Sequence, residues 1–197
     1  ESVPNGDHLV ACDLESYESR ASAWQEINSL TKRLDVLVNC AGLAFGSPAT
    51  MTSRADLRSV YEVNYFAAVD FMQRASRAMV RNRGGAIVNI LSVQAFLSEA
   101  GNLAYGGSKA ALAHATKIFA TELAGFGIRV NGVAPTVIRG RMSALMDTKS
   151  RENLLSRSAM KSELEVEDVV NLTTFLISDC ARYINGQIIR VDGGFQD

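Results

Sequence analysis

The chain holds little from which a disulfide framework, a metal centre or a membrane span could be built. Its three cysteines, Cys12, Cys40 and Cys180, are odd in number and match no zinc spacing. Buried thiols in a reducing, cytoplasmic compartment are the expectation. The two histidines, His8 and His114, stand apart and give no basis for histidine-centred catalysis or metal binding. No apolar run reaches the roughly 18 residues that a membrane-spanning helix requires, and Glu1-Ser2-Val3-Pro4 is not the start of a signal peptide. The formal net charge is −1 and the lysines and arginines are scattered, so there is no basic footprint for nucleic acid. With three prolines and no repeat or low-complexity tract, nothing divides the 197 residues, and a single domain over 1–197 is expected.

What the chain does have is apolar residues, 47% of the total, arranged in alternating patterns. Apolar, β-branched runs lie at 8–12, 35–39, 86–91, 128–133 and 187–191. Helical patterns lie between them at 17–32, 56–83, 103–124 and 167–179, with Gly84-Gly85 and Gly125-Phe126-Gly127 as expected stops. Near-continuous apolar strands alternating with helices predict a parallel sheet covered on both faces, a doubly wound, Rossmann-like α/β domain. Ligands of such sheets bind outside the carboxyl ends of the strands. Asp13, the turn Asn39-Cys40-Ala41-Gly42, Ser92 and Ala134-Pro135-Thr136 all fall on that rim.

The next helical segment begins with Tyr105 and Lys109, thirteen and seventeen residues beyond Ser92. On a helix an i,i+4 pair shares one face. An ammonium about 4 Å from a phenolate is worth on the order of 4 kcal/mol at an effective dielectric near 20. That is roughly three pKa units, so the phenol of Tyr105 is expected to move down from about 10 towards neutrality. A tyrosine tuned in this way exchanges protons at physiological pH. The pair alone is weak evidence, since a snorkelling lysine beside a half-buried tyrosine has the same spacing.

Together with its neighbours, the pair resembles the short-chain dehydrogenase/reductase family, in the standard-length branch that includes 3-oxoacyl-carrier-protein reductases and xylulose/carbonyl reductases. The resemblance runs from about Asp7 to Phe195. Asn39-Cys40-Ala41-Gly42 is similar to the family's Asn-Asn-Ala-Gly turn along the cofactor, and Asp13-Leu14 to the pair that borders the adenine. Asn64 matches the asparagine that holds a proton-relay water. Ser92, Tyr105 and Lys109 match the catalytic serine, tyrosine and lysine. Pro135 and Ile138 match the segment under the nicotinamide, and Val191-Asp192-Gly193-Gly194 the family's ending. The resemblance implies NAD or NADP as cofactor and hydride transfer between nicotinamide and a ketone or secondary alcohol. Asn64, Ser92, Tyr105 and Lys109 would be catalytic, with Asp13, Leu14, Asn39, Ala41, Gly42, Tyr105, Lys109, Pro135 and Ile138 along the cofactor. It also implies a homo-oligomer, with a tetramer expected. Asn89 and Asn131 are expected to be structural.

The chain departs from the family in ways that bear on these expectations. The family opens with a strand, a Gly-rich pyrophosphate-binding turn, a helix, a strand and a second helix. Glu1 corresponds to the approach to the third strand, so roughly 50 residues are missing and a protein of about 245 residues is expected. The segment that chooses between NAD and NADP is among them. The family's threonine after the nicotinamide segment is Gly140 here, which removes a hydroxyl. Residues 139–165 correspond to the substrate loop and carry Arg139, Arg141, Lys149, Arg151, Arg157 and Lys161. Arg139 and Arg141 are the candidates to meet an anionic substrate. The preferred expectation is that Asp147, Glu152, Glu163 and Glu165 neutralise this arm. The competing function is a non-catalytic scaffold subunit paired with an active partner, against which the intact Asn64, Ser92, Tyr105 and Lys109 weigh. The enoyl-reducing branch typically spaces tyrosine and lysine more widely than here.

Overall fold

The computed structural model describes residues 7–144 and 148–196. Four parallel strands, β1 (Val36–Asn39), β2 (Gly85–Ile90), β3 (Ile128–Pro135) and β4 (Ile188–Val191), lie side by side in chain order. The helices between them are α1 (Tyr17–Leu30), α2 (Arg54–Tyr61), α3 (Ala67–Asn82), α4 (Leu103–Leu123), α5 (Arg141–Ala144), α6 (Thr148–Arg157) and α7 (Val166–Ile177). Side chains alternate along each strand, so each strand feeds two cores. On one face Ile87, Ile128 and Val130 pack against Met72 and Met79 of α3 and Leu112 of α4. On the other, Val88 and Val133 pack against Val169 and Leu176 of α7. Burial on both faces explains why the strands are apolar throughout, and it is the doubly wound architecture that the sequence predicts.

Polar side chains within this core hold neighbouring strands together. Asn39 Nδ2 donates to Asn89 Oδ1 at 2.8 Å, and Asn89 Nδ2 donates to Thr116 Oγ1 at 2.9 Å. On β3, Asn131 Nδ2 donates to the Ile184 carbonyl and its Oδ1 accepts from the Gln187 N–H. Asn89 and Asn131 are fully enclosed, as expected of structural residues whose polar atoms must be paired.

Three details differ from expectation. The run at 8–12 is not a strand. A strand needs a ladder partner, and among the described residues none pairs with it, nor with the outer edge of β1. The helix expected over 56–83 is two helices joined by a π-helical turn, Glu62–Phe66. A single π-turn shifts the 3.6-residue pattern by only about one residue, too little to divide so long a stretch in the sequence. The stop of α3 is Arg83 in the left-handed region at φ 57°, not Gly84-Gly85. Gly85 opens β2, where a Cβ would sit 2.6 Å from Met79 Sδ. The other expected stop is present: Gly127, at φ 74°, closes the turn after α4.

Candidate active site

The carboxyl ends of β1, β2 and β3 form one rim, and the first turns of α4 stand over it. Ser92 lies two residues beyond β2, extended at φ −161°, and caps a 3-10 turn, Val93–Ala95, by accepting from the Gln94 N–H at 3.2 Å. α4 is started by Asn102, whose side chain accepts from the Gly106 N–H at 3.2 Å. That start places Tyr105 in the first turn and Lys109 one turn later. The Ser92 side chain lies near enough to the Tyr105 phenol to favour its phenolate. Lys109 is almost fully enclosed, and its Nζ donates to the Ile90 carbonyl at 2.8 Å.

The electrostatics differ from the expected tuning. The phenol of Tyr105 stands above its ordinary value, because burial penalises the phenolate more than the Ser92 side chain favours it. Lys109 is not among the groups that shift it. Burial instead acts on Lys109, whose pKa falls to about 8 despite the opposing effect of the Cys40 thiol. The Lys109 ammonium is held by the Ile90 carbonyl instead of by the phenol.

Asn64 sits in the π-turn, 1% exposed. Its Oδ1 accepts from the Leu43 N–H at 2.7 Å, while Nδ2 donates to the Leu43 carbonyl and to Ser108 Oγ, both at 3.0 Å. It ties the turn after β1 to α4. Gly42, in that turn, is close enough that a Cβ would lie 3.4 Å from Lys109 Nζ and 3.5 Å from Asn64 Oδ1. Asn64→Leu would leave both Leu43 backbone groups without their partner. A loss of about 1–3 kcal/mol is expected, measured as a lower denaturation midpoint with an unchanged slope.

The structure thus brings Gly42, Asn64, Ser92, Tyr105 and Lys109 together. Pro135 ends β3, and Ile138 packs among residues of α7 and β4. Asn39 points its amide into the sheet, towards Asn89, and Ala41 is exposed. Asp13 and Leu14 are held at the start of α1: the Asp13 carboxylate accepts from the Glu15 N–H at 2.9 Å, and the Leu14 carbonyl accepts from Arg20. Of the arm at 139–165, Asp147 and Met146 lie outside the described residues, as do the side chains of Arg141 and Met142. Arg139 pairs with Glu165 at 2.8 Å and Glu163 at 3.6 Å, and Arg151 pairs with Glu163 at 2.7 Å. Glu163 is nearly buried, so two of the basic groups are neutralised from within.

Sequence reasoning did not single out the Thr136 side chain. Its Oγ1 is enclosed and, alone among the buried side-chain polar atoms described, has no hydrogen-bond partner. A groove of about 730 Å³, lined by Asp35, Gly85, Arg129 and Tyr183 among others, lies at the amino ends of the strands, away from Ser92.

Comparison with known proteins gives the family. The family described as enoyl-(acyl carrier protein) reductase matches residues 2–196. The 3-oxoacyl-acyl-carrier-protein reductase of Aquifex aeolicus is 35% identical over 187 residues, which is 95% of this chain and 75% of that protein. The structure is similar to 7α-hydroxysteroid dehydrogenase complexed with NADH and 7-oxo glycochenodeoxycholic acid, with TM-score 0.87, 31% identity, and coverage of 93% of this chain and 72% of that one. It is also similar to a gluconate 5-dehydrogenase from Burkholderia cenocepacia in complex with NADP and tartrate, with TM-score 0.86, 28% identity, and coverage of 92% and 72%. The chain belongs to the short-chain dehydrogenase/reductase family and is an NAD(P)-dependent oxidoreductase. The residues on the rim fit a dinucleotide: a side-chain-free Gly42 stands beside the enclosed Lys109 ammonium, a pairing suited to a ribose.

Proposed function

We propose that this protein interconverts a ketone and a secondary alcohol, with Ser92, Tyr105, Lys109 and Asn64 as its working residues. The observation that carries the reading is the convergence of Ser92, the first turn of α4 with Tyr105, and the enclosed Lys109 at the carboxyl ends of the strands. The nicotinamide, when bound, supplies or accepts the hydride. Ser92 holds the substrate oxygen. Tyr105, neutral at physiological pH because its pKa is raised, donates the proton that turns a carbonyl into an alcohol. Lys109 offers its ammonium to the ribose hydroxyls, and Asn64 fixes the turn through which a proton reaches it. Asp13 and Leu14 border the adenine; Asn39, Ala41, Gly42, Pro135 and Ile138 line the rest of the cofactor.

The four-residue spacing of Tyr105 and Lys109, and the similarity to 3-oxoacyl reductases, favour carbonyl over enoyl reduction. The test is to follow oxidation of NADH and of NADPH with a 3-oxoacyl thioester, the 2-enoyl thioester of equal length, and a simple ketone. Turnover of the enoyl thioester alone would overturn the reading. No observation favours the scaffold alternative. The neutralised arm at 139–165 favours a substrate wall that is apolar rather than anion-seeking, and the proposal takes this arm as part of a single domain.

Phe66, Leu103 and Ile118 leave large apolar side chains 44–48% exposed on the π-turn and α4. This supports a homo-oligomer, for which a tetramer with pairwise two-fold interfaces is the proposal. Sedimentation velocity should give a tetramer, and a monomer at every concentration would contradict it. The cysteines are unpaired but not buried as expected: Cys40 and Cys180, next to turns at element ends, are exposed and Cys12 is half-buried. No described helix is long and apolar enough to cross a membrane. We place the protein in the cytoplasm on the thiols.

A further inference from the structure

Between Ser92 and Tyr105 the chain makes a loop in which Gln94, Glu99 and Asn102 are bonded to one another. Gln94 is its centre. Its N–H donates to Ser92 Oγ at 3.2 Å. Its carbonyl lies so near the first turn of α4 that a Cβ on Gly106 would be 2.9 Å away. Its side-chain Oε1 accepts from Asn102, the residue that caps α4. Its Nε2 donates to Glu99 Oε2 at 2.7 Å. One residue thus touches the serine, the helix bearing the tyrosine, and the cap that starts that helix.

Glu99 extends the connection outward. Its second oxygen, Oε1, accepts from Arg157 Nη1 at 2.5 Å, at the last residue of α6. Arg157 is itself fixed, with its guanidinium 4.6 Å from the Phe195 ring centre and its Nε donating to the Gln196 carbonyl. Beneath this pair α6 is docked by apolar contacts: Leu154 is enclosed with Val137 and Phe195, and Leu97 of the same loop packs against them. The Glu99 and Arg157 side chains are 21% and 29% exposed. An isolated pair on the surface would count for little. This one is part of a network that includes a helix cap.

We propose that Gln94 and Glu99 are positioning residues that hold the Ser92 hydroxyl against the Tyr105 phenol and make that alignment depend on α6 being docked. The proposal rests on the reading of Ser92 and Tyr105 as the groups that meet the substrate oxygen. Gln94 sets the distance between the serine turn and α4. Glu99 orients the Gln94 amide and transmits the position of α6 through Arg157. Docking of the substrate arm and assembly of the proton-donating pair become one event.

The test does not depend on knowing the substrate. The protein is labelled with 3-fluorotyrosine, and the Tyr105 fluorine resonance is assigned by its loss in Tyr105→Phe. In Glu99→Gln, Gln94→Leu and Arg157→Gln the Tyr105 resonance should move and its titration midpoint should rise, because the Ser92 interaction that lowers it is weakened. The Tyr183 resonance, from a ring 98% exposed, should stay in place. Glu99→Gln combined with Arg157→Gln should shift Tyr105 no further than either change alone, since both break one connection. With a 3-oxoacyl thioester as probe, kcat should fall by ten- to hundredfold, on the order expected for a misplaced reacting group. The dissociation constant of the reduced dinucleotide, from its fluorescence, should hold. A purely structural role would lower the melting temperature and leave the Tyr105 midpoint unchanged, and that result overturns the proposal. Turnover surviving in Tyr105→Phe would overturn the catalytic reading and this one with it. An inactive Tyr105→Phe beside an unmoved Glu99→Gln would overturn the role of the brace alone.

Discussion

Tyr105→Phe should lower turnover by about 10²–10⁴-fold, the usual worth of a positioned acid or base, while dinucleotide affinity holds. The ring stays, so the packing of α4 is kept, and only the hydroxyl is lost. That hydroxyl meets the substrate oxygen when charge develops there, so its loss raises the barrier without weakening ground-state cofactor binding. Ser92 retains its bond from the Gln94 N–H and remains in place. Steady-state rates beside a fluorescence titration of the reduced cofactor separate the two quantities. The direction of the Tyr105 shift adds a second expectation. Since the phenol stands above its ordinary value of about 10, carbonyl reduction should be flat through neutral pH and decline only in alkali, whereas alcohol oxidation should rise into alkali. Turnover close to the parent's would remove Tyr105 from the mechanism.

The parts of this protein legible in its sequence are those whose physics is local. Ser92, Tyr105 and Lys109 fall within eighteen residues of one another, and one turn and one helix suffice to bring them together. β2 and β3 announced themselves because burial on two faces demands unbroken apolar runs. The residues at 8–12 have the same composition and form no strand, because pairing is a property of two segments and composition a property of one. The π-turn at Asn64 was hidden because it shifts the helical pattern by only about one residue within a long amphipathic stretch. Gln94 and Glu99 look like ordinary loop residues until Asn102 and Arg157 are seen against them. The sign of the Tyr105 shift could not be read from spacing. It depends on how much water burial removes and on where the Lys109 ammonium finds its acceptor.

Lys109→Met should separate stability from function, raising the first while damaging the second. Methionine keeps most of the lysine's length and removes its charge. An ammonium donating to cofactor hydroxyls is worth about 1.5–3 kcal/mol, so dinucleotide affinity should drop roughly ten- to hundredfold, and turnover with it. The effect on the fold runs the other way. Burial has moved Lys109 from 10.5 to about 8, so the folded state disfavours its charged form. A shift of that size corresponds to about 3 kcal/mol at neutral pH, at 1.36 kcal/mol per unit. The Ile90 carbonyl would lose its donor, an offset of about 1 kcal/mol. Below pH 8 the lysine is protonated whether folded or unfolded, and the penalty is fully present. Between about 8 and 10.5 the unfolded chain binds the extra proton, so wild-type stability rises with pH through that window. Above it both states are neutral and the penalty is gone. Lys109→Met should therefore melt several degrees higher at pH 7, and its advantage should shrink as pH climbs from 8 towards 10.5. Thermal unfolding of both proteins across that range is the measurement. A variant less stable at pH 7, or a gap that does not change with pH, would show that Lys109 carries no burial penalty in the fold.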